Sequence, residues 1–366
     1  MILSKYPFLV QKEIFHNMKY SELFMLSFVS KNMKKLIKLS QEKRFKSIGS
    51  VRYDYDGADE IRVHVYYGDV KEMITKTEKH NEAKSVRKSF QLNVSGKMID
   101  FRFLRPRSRY VHPIASYQQP SEKETAIQSI HNYLFDFYGD SVEYNWLTTA
   151  SEWLGRSSIP TLPQIQNLSF CVDINLFPET NYAEMERLEN FFSSSPVLKS
   201  VRMVAVTNQS FPSKSKLYQA ESVEIRQEEI IDTCILRDFQ GRQAFLRCGE
   251  VSTSVLVEFL NRWKSGEAFK KLEYLKVIMD PISPGDRIFN GIVLSYIDAT
   301  KQPPIHTLPK VFNWQYYTKS NTDPITSHTY VVREADNRVA SILVQEKAFS
   351  FGVWNKTEEE FLKMVE

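Results

Sequence analysis

The first 45 residues constrain this chain most, above all Tyr6 to Ile37, YPFLVQKEIFHNMKYSELFMLSFVSKNMKKLI. The spacing predicts three short helices carrying more apolar surface than so small a unit hides within itself. Pro7 belongs to the first helical turn, where its missing N–H is without consequence. Val10, Ile14 and Met18 then recur every four residues on one face, with Phe15 beside them. Ser21 is the expected N-cap of the second helix, in which Leu23, Phe24, Met25, Leu26, Phe28 and Val29 leave almost no polar side. The third, Asn32 to about Phe45, sets Met33, Leu36, Ile37 and Leu39 against Lys31, Lys34, Lys35, Lys38, Lys43 and Arg44. Below about 40 residues a domain rarely buries enough surface to stand alone. Each large apolar side chain contributes roughly 1.5 to 3 kcal/mol when buried. One face is therefore expected to pack on the rest of this chain and the other on a partner. A helical hairpin packed wholly into its own domain is the alternative.

Pro7, Val10, Ile14, Phe15, Leu23, Leu26, Ser27, Val29, Ser30 and Lys31, with Leu36 further on, resemble the F-box in order and spacing, most of all in ELFMLSFVSK. The resemblance implies docking on the Skp-type adaptor of cullin-RING (SCF) ubiquitin ligases, while the rest of the chain selects a target. It further implies that Pro7, Val10, Ile14, Phe15, Leu23, Leu26 and Val29 contribute the adaptor contact. Tyr6-Pro7 departs from the more usual Leu-Pro start.

With 366 residues, 42% apolar and 25% charged, the chain has ample material for a globular core in one to three domains. A net charge of +4 is mild over this length and argues against nucleic acid as the partner. Cys171, Cys234 and Cys248 are odd in number and far apart, which provides neither a disulfide framework nor a CxxC motif. Lys5, Lys12 and Glu13 interrupt any signal-peptide core, and no long apolar run occurs, so no membrane is implied and a cytoplasmic or nuclear location is expected.

After the helices the period changes to two. Val51, Tyr53 and Tyr55, a turn at Asp56-Gly57, then Ile61, Val63, Val65 and Tyr67 read as a β-hairpin. Phe90, Leu92 and Val94, Ser95-Gly96, then Ile99, Phe101 and Phe103 read as another. The polar stretch Asp69 to Lys84 between them is a helix or a loop, and RPRSR at Arg105 to Arg109 reads as a solvated linker, with a phosphate-binding loop as the alternative. A helix over Glu122 to Phe137 and a strand at Val142 to Trp146 open the next region.

There the register L-x-x-L-x-L recurs at Ile165/Leu168/Phe170, Leu198/Val201/Met203 and Leu272/Leu275/Val277, with looser copies at Ala220/Val223/Ile225 and Gln243/Leu246/Cys248. Helices at Glu184 to Phe192 and Thr253 to Lys264 alternate with it, the second capped by Ser252 and followed by Gly266. A leucine-rich-repeat-like body is the reading, with a non-repetitive α/β domain as the alternative. Phe259, Leu260, Trp263, Gly266, Leu272 and Leu275, within Leu217 to Val277, resemble the type-2 F-box-associated domain of large nematode F-box families. Further on, Val311 to Tyr317 is a candidate strand, and Tyr330 to Arg333, Val339 to Val344 and Phe349 to Trp354 form a three-stranded meander. Thr357 and Glu360 make a capping box for a last helix packed down by Leu362 and Val365.

The expected fold is thus mixed α+β and α/β. Residues 1–46 are the F-box, 47–120 the hairpin region, 121–280 the irregular repeat-like body with its F-box-associated signature at 217–277, and 281–366 a β-rich C-terminal region. None of the seven histidines has metal-ligand spacing, and phosphate-loop, GxSxG and dinucleotide motifs are missing, so neither catalysis nor a cofactor is expected. The reading is a substrate receptor of an SCF-type ligase, without enzymatic chemistry of its own. Its partners would be the Skp-type adaptor, through it the cullin-RING assembly, and a target protein, with a foreign protein or toxin as one candidate. A binder that neutralises its target by sequestration is the rival, and an enzyme with a dispersed site the third class.

Overall fold

The computed structural model describes residues 5–57, 60–80, 89–103, 112–151, 161–176, 182–205, 211–227, 234–249, 251–279, 293–314 and 319–365. The RPRSR stretch lies outside them. The chain divides into two compact units, residues 1–149 with 160–169, and residues 150–159 with 170–366.

The first unit opens with α1 (Phe8–Asn17), α2 (Tyr20–Ser27), α3 (Lys31–Ser40) and α4 (Glu42–Lys46). Pro7 is the N-cap of α1 rather than its first turn. Ser21 is not a cap. It lies buried inside α2, which begins one residue earlier, with the N–H of Lys19 donating to Glu22 Oε2 at 2.7 Å. The third predicted helix is two, broken at Gln41, and Ser30 Oγ caps α3 by accepting from Met33 N at 3.0 Å.

The strands of this unit are β1 (Ser50–Tyr55), β2 (Ile61–Tyr67), β3 (Val70–Lys79), β4 (Ser89–Val94), β5 (Lys97–Phe103), β6 (Pro113–Tyr117) and β7 (Glu143–Ser151), with α5 (Pro120–Tyr138) before β7. They lie in the order β7-β1-β2-β3-β6-β5-β4. The pairs β1/β2, β2/β3, β4/β5 and β5/β6 are antiparallel, while β1/β7 and β3/β6 are parallel. In place of a boundary near Ser121, α5 and β7 thus group with the first unit.

Of the polar stretch Asp69 to Lys84, Val70–Lys79 is neither helix nor loop but the strand β3, and residues 81–84 lie outside the described residues. Its charges are matched: Lys76 reaches Glu60 at 2.6 Å and Glu78 on its own strand at 3.3 Å, and Arg102 on β5 reaches Glu78 at 3.2 Å. Helix α2 packs on β3, and α5 on β3 and β6. Ile127, Ile130, Leu134 and Phe137 of α5 are buried at helical spacing.

In the second unit, β8 (Ser169–Leu176), β9 (Ser200–Ala205), β10 (Ser222–Gln227), β11 (Gln243–Arg247) and β12 (Tyr274–Ile278) pair in parallel in chain order. Their connections carry α6 (Tyr182–Ser194), a 3-10 turn at Lys216–Gln219, α7 (Ile235–Asp238) and α8 (Thr253–Lys264). The register aligns Val172, Val201, Val223, Ala244 and Leu275 in one buried row, and Ile174, Met203, Ile225, Leu246 and Val277 in the next. This corrects the sequence register at two copies. Val201 stands opposite Val172, not Leu168, and Val223 opposite Ala244, not Leu246.

Beyond β12 come β13 (Ser295–Tyr296), β14 (Ile305–His306), β15 (Ile325–Thr326), β16 (Thr329–Val332), β17 (Arg338–Gln345), β18 (Ala348–Thr357) and α9 (Glu358–Leu362). Strand β18 pairs antiparallel with both β12 and β17, β17 with β16 and β16 with β13, while β14 and β15 pair separately. Residues 311–314 form no strand, and Gln315 to Tyr317 lie outside the described residues. Thr357 Oγ accepts from Glu360 N at 3.4 Å to cap α9. Phe361, fully buried against Tyr330, Ile297 and Val339, holds this helix down with Val365, whereas Leu362 is exposed.

Candidate protein-docking surface

The N-terminal helices are tied together from within. The Arg44 guanidinium lies 4.2 Å above the Tyr20 ring, and its Nη1 donates to the carbonyls of Phe15 (3.2 Å), His16 (3.2 Å) and Met18 (2.8 Å). One cation from α4 therefore closes the C-terminal end of α1, where orphan carbonyls need donors. Phe45 joins Tyr20, Phe137 and Tyr138 in an aromatic cluster with ring centroids 5.0 to 6.2 Å apart. On the other side Ser27 Oγ lies 2.7 Å from the Tyr133 hydroxyl, and Phe28 stacks on Tyr133 at 4.2 Å. Burial pushes the Tyr133 phenol up to about 12.

Against this anchored side stands an uncovered one. Among the described residues, six of the thirteen large apolar side chains that are exposed belong to these helices and their entry: Tyr6 (40%), Phe8 (45%), Leu9 (76%), Val10 (41%), Val29 (69%) and Leu39 (69%). Such concentration in so short a stretch marks a surface awaiting a partner.

The seven residues expected to make adaptor contact separate into three groups. Pro7, Val10 and Val29 are exposed, and Ile14 and Leu26 are half-buried. Phe15 and Leu23 are wholly buried within the chain, so they shape the helices from below rather than offering a face. The sequence missed Phe8, Leu9 and Leu39. Phe8 and Leu9 sit just off the i, i+4 stripe that was followed, and Leu39 was placed on the same face as Ile37, which is fully buried.

A helical unit clasped from within, with apolar side chains left open, is a docking module. Residues 7–45 match the family model for the F-box domain. The chain thus carries an F-box, which supports an SCF adaptor-binding subunit and implies a Skp-type adaptor and cullin-RING partners; F-box proteins generally act as substrate adaptors rather than as enzymes. No curated protein and no solved structure matches the chain. Among the described residues no helix is long and apolar enough to cross a membrane.

Proposed function

We propose that the chain is the substrate-recognition subunit of an SCF-type ubiquitin ligase, holding the adaptor through the F-box and a target protein through the second unit. The observation that carries this is the concentration of exposed apolar side chains within the F-box, Phe8, Leu9, Val10, Val29 and Leu39. The contribution is proximity: a captured target sits beside a ubiquitin-charged conjugating enzyme, and the local concentration of its acceptor lysines rises.

The target-binding part of this reading rests on the parallel ladder of the second unit, taken as leucine-rich-repeat-like, and on the resemblance of Leu217 to Val277 to an F-box-associated domain. Two described stretches of the same chain, residues 305–314 and 319–323, bond to β11, β12 and β18 as a strap. Gln243 Nε2 donates to Pro309 O at 2.8 Å and its Oε1 accepts from Val311 N at 3.0 Å. Lys276 pairs with Asp323 at 2.6 Å, and His306 Nε2 donates to Val353 O at 3.0 Å. Beyond this strap the register aligns Asn175, Val204, Arg226, Arg247 and Ile278, and both arginines are exposed. This row is the proposed target contact, with a foreign protein or toxin among the candidate targets. The loop Thr207 to Ser215 is a second candidate, of which residues 207–210 lie outside the described residues.

The test is co-purification of the full chain with the adaptor, before and after Val10→Asp with Val29→Asp. Both positions are exposed, so the variant is expected to keep its fold and lose the adaptor together with target turnover. Turnover that persists without the adaptor sinks the ligase reading, and biological activity that persists without turnover favours sequestration.

A further inference from the structure

A groove of about 580 Å³ opens in the first unit between the α2–α3 corner, α5 and the β4–β5 turn. Its floor is the stacked pair Phe28 and Tyr133, and its rim is lysine: Lys31, Lys34, Lys35 and Lys38. The ammonium of Lys34 stands 3.6 Å from the Tyr133 ring centroid and 2.5 Å from Asp136 Oδ2, and Lys38 lies 3.6 Å from Asp136 Oδ1. One lining carboxylate thus serves two ammonium groups, while Lys31 and Lys35 project exposed beside them. Four lysines against one aspartate leave the groove with a surplus of three positive charges, where the whole chain carries only +4. So much charge of one sign around an aromatic floor selects an anion with an apolar part.

We infer that this groove binds an acidic, unphosphorylated peptide segment of a partner protein, with an apolar side chain on Phe28 and Tyr133 and carboxylates on the lysine rim. No arginine lines the groove, so a bound anion meets compact ammonium charges one at a time rather than a bidentate fork, and several singly charged carboxylates spread along the rim suit it better than one concentrated phosphate. The two aromatic rings are stacked on one another and form a single platform, whereas successive nucleobases need one each. The volume suits a few side chains, within the few hundred to about 1,000 Å³ of ordinary ligand sites.

The inference does not depend on the ligase reading, and the test separates the two. The probe is a fluorescent peptide of about ten residues, Asp and Glu around one central Phe, titrated by anisotropy into the full chain at about 50 and about 200 mM salt. Lys31→Glu with Lys35→Glu changes two exposed residues, the first in the opening turn of α3, where a carboxylate suits the helix dipole. This variant is expected to weaken binding about ten-fold or more, and higher salt to weaken the wild type. Asp136→Asn removes the competing carboxylate and is expected to tighten binding several-fold. Val10→Asp alone, outside the groove lining, leaves peptide affinity unchanged. The inference is overturned if the acidic peptide does not bind, if the lysine reversal has no effect, or if a phosphopeptide or single-stranded oligonucleotide binds more tightly. Displacement of the peptide by the adaptor also overturns it, because the groove would then belong to the adaptor seam.

Discussion

His131, on α5, is buried between two partners that define its proton. Nε2 lies 3.0 Å from the carbonyl of Gln166, which only accepts, so Nε2 carries the hydrogen. Nδ1, 3.0 Å from the Tyr53 hydroxyl, is then the acceptor in the neutral ring. A second proton would charge a ring that burial already disfavours, and its pKa is pushed down to about 4. The unfolded chain takes up this proton near the ordinary histidine value of about 6.5. Between those limits the unfolded state binds more protons, so the contribution of His131 to stability falls as pH drops from about 6.5 to about 4, by on the order of 3 kcal/mol in all. Urea unfolding followed across this window is expected to show a shallower acid loss for His131→Gln than for the wild type. Identical slopes would show that the ring titrates normally. None of this was legible in the sequence, where His131 had no neighbour of metal-binding or catalytic spacing, because Tyr53 and Gln166 arrive from distant segments.

At the scale of elements, alternation identified strands but not which residues face each other. Sliding a strand by one residue turns its side chains to the wrong face, whereas sliding it by two leaves the pattern intact. Both register corrections in the parallel ladder are even, four residues at β8 and two at β11, and no burial pattern distinguishes them. Strand β3 was missed for another reason. Its lysines and glutamates look like a solvated segment until Glu60, just before β2, and Arg102, on β5 one strand beyond β6, are brought beside them. Helix α8 was read residue for residue, because cap, apolar stripe and terminating glycine agree, and Gly266 adopts φ +76°. The turn before β11 gives a direct test of close approach. A Cβ on Gly241 would overlap the carbonyl oxygen of Ala220 and meet the Phe239 ring at 2.5 Å. Because the obstacle is backbone, Gly241→Ala is expected to cost about 1 to 3 kcal/mol in chemical denaturation. An unchanged midpoint would mean that this turn is looser than its geometry implies. Gln243, at the start of the same strand, clasps the stretch 305–314 with two bonds, to Pro309 and Val311. Its replacement by Ala is expected to accelerate amide exchange in that segment first.

For the whole molecule, the F-box sequence pattern carries two demands that the fold separates. Leu23 and Phe15 repeat as faithfully as Val10 and Val29, yet the first pair is sealed inside and the second open. Periodicity reports which residues share a face and is silent on what covers it, so the same motif contains both a sealed foundation and open apolar side chains. The consequence is a pattern of variants that no single substitution gives. Leu23→Asp places a carboxylate where exposure is zero, and its expected cost of more than about 4 kcal/mol unfolds the helices, so losing the adaptor with it is uninformative. Val10→Asp with Val29→Asp should shift the midpoint by less than about 1 kcal/mol in total while abolishing adaptor capture. Arg226→Glu with Arg247→Glu, in the second unit, should do the reverse, retaining the adaptor and releasing the target. Adaptor pull-down, target half-life and denaturation measured on all three variants then separate scaffold, docking and selection. Adaptor capture that survives in the Val10 and Val29 variant at full stability would place the contact elsewhere on the F-box, whereas target turnover that persists once capture is lost would remove the basis for the ligase role.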